Sequence, residues 1–336
     1  MVLVAIAAVT NTRGGRFMIP FIIRKVLVLI PMLFVISFLI FLGIELMPGD
    51  AVDFMIPPDA LATISQADLD LLRAELGLDD PFLVRYGTWI AQVVKGDFGY
   101  SLQSGVSVRD LLAQKLPATI ELSLAALVIS TLLGSLLGVV SALNKGRLGD
   151  HVLTVAGMIG VAIPQFLFGL VMIVLVVFQM ELLPVGGRMT PGNEAFFQRL
   201  DHLILPATVL GLSMTAGVMR YSRASMLDSL SKEFIRTARS KGIPEWRVNL
   251  IHGLRVAMTP VAVLIGFRLP ILIGGSVVIE QVFQWPGVGQ MFVAAVRSQN
   301  TPVIMMIAFF SVSIVLVASI LVDIATALLD PRVKLS

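Results

Sequence analysis

An all-α membrane protein that crosses the bilayer with about six helices is the fold class this sequence predicts, on three observations. Hydrophobic residues make up 57% and charged residues 14% of the 336 positions, and the mean hydropathy is +0.91, which is more apolar surface than one soluble core can hide. Six apolar runs, 26–47, 120–143, 151–178, 203–221, 258–279 and 303–329, are long enough to span about 30 Å of hydrocarbon at roughly 1.5 Å per helical residue. Lysine and arginine gather on alternate connections: Arg13, Arg16, Arg24 and Lys25 before the first run, Lys145 and Arg147 between the second and third, a basic insert between the fourth and fifth, and Arg332 and Lys334 in the tail. The positive-inside rule makes that side cytoplasmic, with both termini inside.

The chain then divides into a cytoplasmic arm (1–25), a first span (26–47), an external segment (48–116), a membrane core (117–329) holding the insert at 231–256, and a cytoplasmic tail (330–336). The opening MVLVAIAAV lacks a basic n-region and makes a poor signal peptide, and Met18 is a candidate start. The external segment carries twice as many acidic as basic residues. Ser65 with Asp68 three residues on reads as an N-cap, Gly77 as a C-cap glycine, and Pro81 as the first turn of a second helix. Phe82, Tyr86, Trp89, Ile90 and Val93 recur at helical spacing. This helical cap either receives an external delivery protein, for which Ser65, Gly77, Phe82, Tyr86, Trp89, Gly96 and Asp97 are the candidates, or packs on the outer ends of the spans; the two are compatible.

Within the core, Ala126, Ser130, Gly134, Gly138 and Ala142 lie four apart on one face of the second span, where missing bulk lets another backbone approach. Pro164, Pro206 and Pro270 interrupt spans, and Gly266, Pro270, Gly274 and Gly275 mark the fifth as one that bends or opens a path. Arg268 sits mid-span, where an arginine must face protein or water; a structural ion pair, an interhelical hydrogen bond and the lining of a polar pathway all satisfy that. Glu45, Glu121, Glu280 and Asp323 are placed near span ends, within reach of interfacial water.

The most informative stretch is the insert. Residues 232–241 predict a short helix with Phe234, Ile235 and Ala238 to one side and Arg236, Arg239 and Lys241 exposed. Gly242 suits a left-handed cap, and Pro244 opens a second helix with Trp246, Leu250 and Leu254 in one stripe. Two short helices about a glycine make a knob for a partner's groove, although a basic amphipathic helix can also rest on anionic lipid headgroups.

RTARSKG at 236–242 resembles the cytoplasmic coupling motif of ABC importer permeases. Arg236 and Thr237 replace the motif's usual Glu and first Ala, whereas Ala238 and Gly242 match; that form is the one found in the peptide and nickel branch, and His252, Leu254, Arg255 and Pro260 fit its continuation. PGD at 48–50, GDFGYS at 96–101, LPATIELS at 116–123, GGSVVIEQVFQWPGVG at 274–289 and DPR at 330–332 resemble the same branch. The resemblance implies a type I importer permease fold and a subunit that moves peptides or similar small solutes inward by alternating access. It implies a second, homologous permease, two cytoplasmic ATPases carrying ATP and Mg, and an extracytoplasmic substrate-binding protein, all in a bacterial or archaeal cytoplasmic membrane. ATPase coupling would fall to Glu233, Phe234, Arg236, Thr237, Ala238, Arg239, Lys241, Gly242, Pro244, His252 and Arg255, and the translocation path to Arg268, Pro270, Gly274 and Gly275.

Other chemistries lack their residues. There is no cysteine, the three histidines form no ligand pair at helical spacing, and no G-x-x-x-x-G-K-[ST] loop occurs, so neither a metal centre nor ATP hydrolysis is expected of this chain. No H-E-x-x-H lies in a span, and no nucleic-acid partner is expected. The alternative, an ion-coupled secondary transporter, would need intramembrane acids and paired broken helices, and it would leave the insert unexplained.

Overall fold

The computed structural model describes residues 15–47, 52, 56, 64–75, 77–190 and 196–329. The apolar start, the PGD stretch and the tail with Arg332 and Lys334 lie outside the described residues. The helices are α1 (Gly15–Glu45), α2 (Gln66–Glu75), α3 (Phe82–Lys95), α4 (Val108–Leu143), α5 (Leu148–Ala162), α6 (Gln165–Met172, continued as a π turn over Ile173–Gln179), α7 (Phe196–Leu230), α8 (Glu233–Ser240), α9 (Glu245–Arg247, continued as a π turn over Val248–Gly253), α10 (Leu254–Gly275), α11 (Val277–Val282), α12 (Val288–Arg297) and α13 (Thr301–Leu329). Among the described residues five helices are long and apolar enough to cross a membrane, or six if the bent pair α5–α6 counts as one span. Helices such as α4 and α7 run past the predicted apolar runs because polar end turns stay hydrogen-bonded outside the hydrocarbon.

The chain forms two compact units. In the first, made of residues up to Lys115 and Met291–Ile320, α1 meets α3 through aromatic side chains. Phe38 and Phe41 pack against Phe82 and Tyr86 at centroid distances of 5.4–5.7 Å, and Trp89 stands edge-on to Phe309 at 6.0 Å. Glu45 pairs with Arg85. Ser65 caps α2 as expected, its Oγ accepting from the Asp68 N–H at 3.2 Å and donating to Oδ2 of Asp68 at 2.8 Å. Gly77 (φ +66°) and Gly96 (φ +83°) end helices in the left-handed region. Pro81 stands just before α3 instead of in its first turn.

The second unit is made of Leu116–Gln290 with Leu321–Leu329. Its hydrophobic centre joins Ala118, Leu122 and Ala126 of α4 to Val209 and Leu210 of α7 and to Ile279, Phe283 and Trp285. The small-residue ladder forms the predicted seam: a Cβ on Gly134 would meet Val218 of α7, and one on Gly138 would meet the Met219 carbonyl and the Arg223 nitrogen. The third apolar run breaks at Pro164, as that proline predicts: it forms two helices, bent by 99° between Ala162 and Gln165. Ile163 is extended at ψ 123° because the following proline excludes the helical conformation, and Pro164 offers no N–H to continue the ladder. In the fifth run the helix is continuous as far as Gly275, and the interruption falls at Ser276.

Candidate functional site

The insert hangs from the end of α7. Ser231 Oγ donates to the Asp228 carbonyl at 2.7 Å and Lys232 pairs with Asp228 at 3.0 Å, closing that helix before α8 begins. Glu233 occupies the first turn of α8, where the helix dipole favours an acid, and holds Arg236 at 2.9 Å. The helix is fixed by Ile235 and Ala238, three residues apart, which are buried together with Val248 and flanked by Leu230 and Ile243. Phe234 is corrected: it lies one residue round from that face and is 41% exposed.

The turn after α8 is a Schellman motif. Gly242 sits at φ +70°, its N–H donates to the Arg239 carbonyl at 2.9 Å, and Ile243 N–H donates to the Ala238 carbonyl at 3.3 Å. Arg239 reaches across the turn to grip Glu245, Nε to Oε1 at 2.8 Å and Nη2 to Oε2 at 3.2 Å. Pro244 is the residue before the next helix, at ψ 141°, not its first member. The expected second short helix is also corrected. α9 passes through the π turn directly into the fifth span, so the insert is one free helix joined to a lengthened span. The wider π repeat breaks the i, i+4 stripe, and Trp246 and Leu250 are 57% and 49% exposed. Ser229 Oγ donates to the Gly253 carbonyl at 2.8 Å and Ser225 Oγ to the Ala257 carbonyl at 2.7 Å, pinning the base of this span to α7. Among the coupling candidates, Glu233, Phe234, Arg236, Thr237, Arg239, Lys241, Gly242, Pro244 and Arg255 are exposed, while Ala238 is buried and His252 half-buried.

Deeper in the core, Arg268 Nη1 donates to the Met214 carbonyl of α7 at 2.8 Å, and its guanidinium lies where a Cβ on Gly217 would be. None of the ion pairs among the described residues includes Arg268. Of its proposed path companions, Pro270, Gly274 and Gly275 share α10 with it.

Two polar clusters escaped the sequence reading. Asp150 of α5 is buried and receives Arg223 of α7 in a fork, both bonds at 2.8 Å, with Ser141 Oγ of α4 at 2.5 Å and the Gly146 N–H at 3.0 Å. Glu280, expected near interfacial water, is instead fully buried. It accepts from Thr119 Oγ1 at 2.8 Å, Ser276 Oγ at 3.0 Å and the Gln290 N–H at 2.9 Å. Glu121 likewise has a protein partner, Arg188 at 2.7 Å. The packing of glycines round Glu280 in QWPGVG was the one available signal, since residues 287 and 289 leave a carboxylate-sized space.

Residues 134–335 match the family described as binding-protein-dependent transport system inner membrane component, and residues 18–124 match the N-terminal region of such membrane components. The chain belongs to this family. It is 40% identical over 319 residues to the oligopeptide transport system permease protein AppB of Bacillus subtilis (strain 168), covering 94% of this chain and 100% of that one. It is 38% identical over 321 residues to a putative peptide permease protein of Brucella ovis, covering 95% and 100%. The glutathione transport system permease protein GsiC of Escherichia coli (strain K12) is 36% identical over 318 residues, covering 94% and 99%. A crystal structure of an amino acid ABC transporter shares the fold, with a TM-score of 0.50 at 15% identity over 65% of this chain and 93% of that one.

The chain is therefore the multi-pass inner-membrane permease subunit of an ABC importer. None of the matches supports ion-coupled transport. In this permease Arg268 is held by a backbone carbonyl, so Arg268→Gln strands no acid and its amide can still donate across the seam. Complex yield and melting temperature are expected to stay at wild-type values while transport rate or cargo preference changes, measured on one preparation. A drop in melting temperature would make the residue structural.

Proposed function

We propose that this permease carries peptides or chemically similar small solutes into the cytoplasm by alternating access, with ATP hydrolysed on two separate ATPase subunits. A second, homologous permease completes the pathway, and an extracytoplasmic binding protein delivers the cargo. The arm, the insert and the tail face the cytoplasm, and the segment 48–116 faces outward. The relatives named for oligopeptide and glutathione transport support the cargo class.

The observation that carries the coupling role is α8. It is anchored by only Ile235 and Ala238, presents Phe234 and a row of self-paired charges outward, and is set at a fixed angle by the left-handed Gly242. A short rigid helix with an exposed aromatic suits a partner's groove. Because α7 leads into it and the base of the fifth span is pinned to α7, a push on α8 moves two spans together. For the outer cap, Phe82, Tyr86 and Trp89 are engaged with α1 and α13 rings, which leaves Ser65, Gly96 and Asp97 as the better candidates for contact with the binding protein.

A Cβ at Gly242 meets nothing within 4 Å, so any cost of substitution there comes from the backbone alone. Gly242→Val is expected to lose about 1–2 kcal/mol of loop stability, with normal insertion but loss of ATPase association and uptake. Gly242→Asn, which tolerates the left-handed region, retains both. Copurification of the ATPases and uptake in cells check this; wild-type uptake by the valine variant would defeat the coupling role.

A further inference from the structure

Beside α8, residues 246–255 present a second exposed face. Arg236 is neutralised by Glu233 and Arg239 by Glu245, whereas Arg247 and Arg255 are exposed and take part in no ion pair among the described residues. Trp246, Leu250 and Ile251 stand 57%, 49% and 50% exposed beside them, and the Arg247 guanidinium lies 5.1 Å over the Trp246 ring. The other side of the same segment, Val248, Gly253 and Ala257, is buried. The 22 residues of α10 rise about 33 Å, enough to cross the hydrocarbon alone, which would set the π turn before it at headgroup level. A tryptophan, two aliphatic side chains and unneutralised arginines at that depth match the chemistry of an anionic lipid surface, in which the apolar bodies enter the interface and the cations meet phosphate.

We infer that Trp246, Arg247, Leu250, Ile251 and Arg255 form a docking surface for acidic phospholipid headgroups, which sets the height and tilt at which α8 is presented. The inference rests on the cytoplasmic placement of the insert proposed above. An arginine at the surface enriches acidic lipid about fivefold, which corresponds to about 1 kcal/mol.

The test uses the complete transporter in nanodiscs containing brominated phosphatidylglycerol or brominated phosphatidylcholine. The chain has three tryptophans, so the emission that disappears in Trp246→Phe defines the signal of this site. Phosphatidylglycerol is expected to quench that signal several-fold more effectively than phosphatidylcholine, and Arg247→Gln to cut the preference about fivefold. Equal quenching by the two lipids overturns the proposal. Protection of Trp246 from both lipids also overturns it, and assigns the face to an ATPase contact. The chain has no cysteine, so Ser240→Cys supplies a unique thiol for an impermeant maleimide. Labelling from outside intact cells would refute the cytoplasmic placement, whereas inside-only labelling with equal quenching refutes the lipid surface alone.

Discussion

Glu280→Ala is expected to leave little or no assembled permease in the membrane. The carboxylate is fully buried, and each of its partners is a donor: Thr119 Oγ1 and Ser276 Oγ to Oε1, the Gln290 N–H to Oε2. Thr119 has no freedom to turn away, because its oxygen accepts the Val288 N–H at 2.8 Å and its hydrogen must therefore point at Glu280. Gly287 and Gly289 press against the carboxylate from the other side, where a Cβ would collide with it. Alanine strands the Thr119 and Gln290 donors in a fully buried site at about 1–3 kcal/mol each and adds a cavity. That loss is comparable with the whole stability of about 5–15 kcal/mol typical of a folded domain. Glu280→Gln keeps the volume but turns an amide N–H₂ toward at least one donor, a single loss of about 1–3 kcal/mol. Membrane yield and detergent melting temperature should rank wild type above Gln above Ala. An alanine variant that melts like wild type would mean that the cluster is dispensable.

The second large effect is expected at the α4–α7 seam. In Gly138→Val the new Cβ would stand 2.5 Å from the Met219 carbonyl, 2.7 Å from Ser222 Cβ and 3.0 Å from the Arg223 nitrogen. Helix backbone cannot step aside as a side chain can, so α4 and α7 must separate, at about 3 kcal/mol or more. Separation also pulls Arg223 off its fork on Asp150, which ties α4 and α5 to the helix leading into α8. Loss of thermal stability should therefore come with loss of transport per assembled complex. Gly160→Val is the control, since a Cβ there meets nothing within 4 Å. Its melting temperature should stay within a few degrees of wild type; equal damage by both variants would point to valine in a helix and not to the seam.

Much of the insert was legible because its determinants are local. A glycine followed by Ile and Pro after a short amphipathic segment specifies a left-handed cap and an extended exit within a few residues, and the Schellman bonds at Gly242 and Ile243 are the outcome. The Ser65–Asp68 cap and the small-residue ladder of α4 were readable for the same reason: spacing of three and four on a helix is a geometric fact. The misleading assumption was an unbroken 3.6-residue repeat. The π turn at Val248–Gly253 shifts the helical register along this segment, so Leu254 packs against the core while Trp246 and Leu250 stay exposed, whereas the division of the third run was readable from Pro164 itself.

Composition and the placement of lysine and arginine thus determined by themselves that this chain is a helical membrane protein, roughly where its spans lie, and that residues 236–242 form its distinctive loop. Only the tertiary structure decided what the charges in and near the membrane are for. Glu280 looked like a residue at a water interface until folding brought Thr119 to it across 161 positions of sequence. Arg268 could be read as a partner in an ion pair, an interhelical hydrogen bond or a polar pathway until its guanidinium met the Met214 carbonyl across 54. Hydrophobic periodicity is written in neighbouring residues, whereas the partner that makes a buried charge tolerable comes from another helix, and local sequence carries no record of which one.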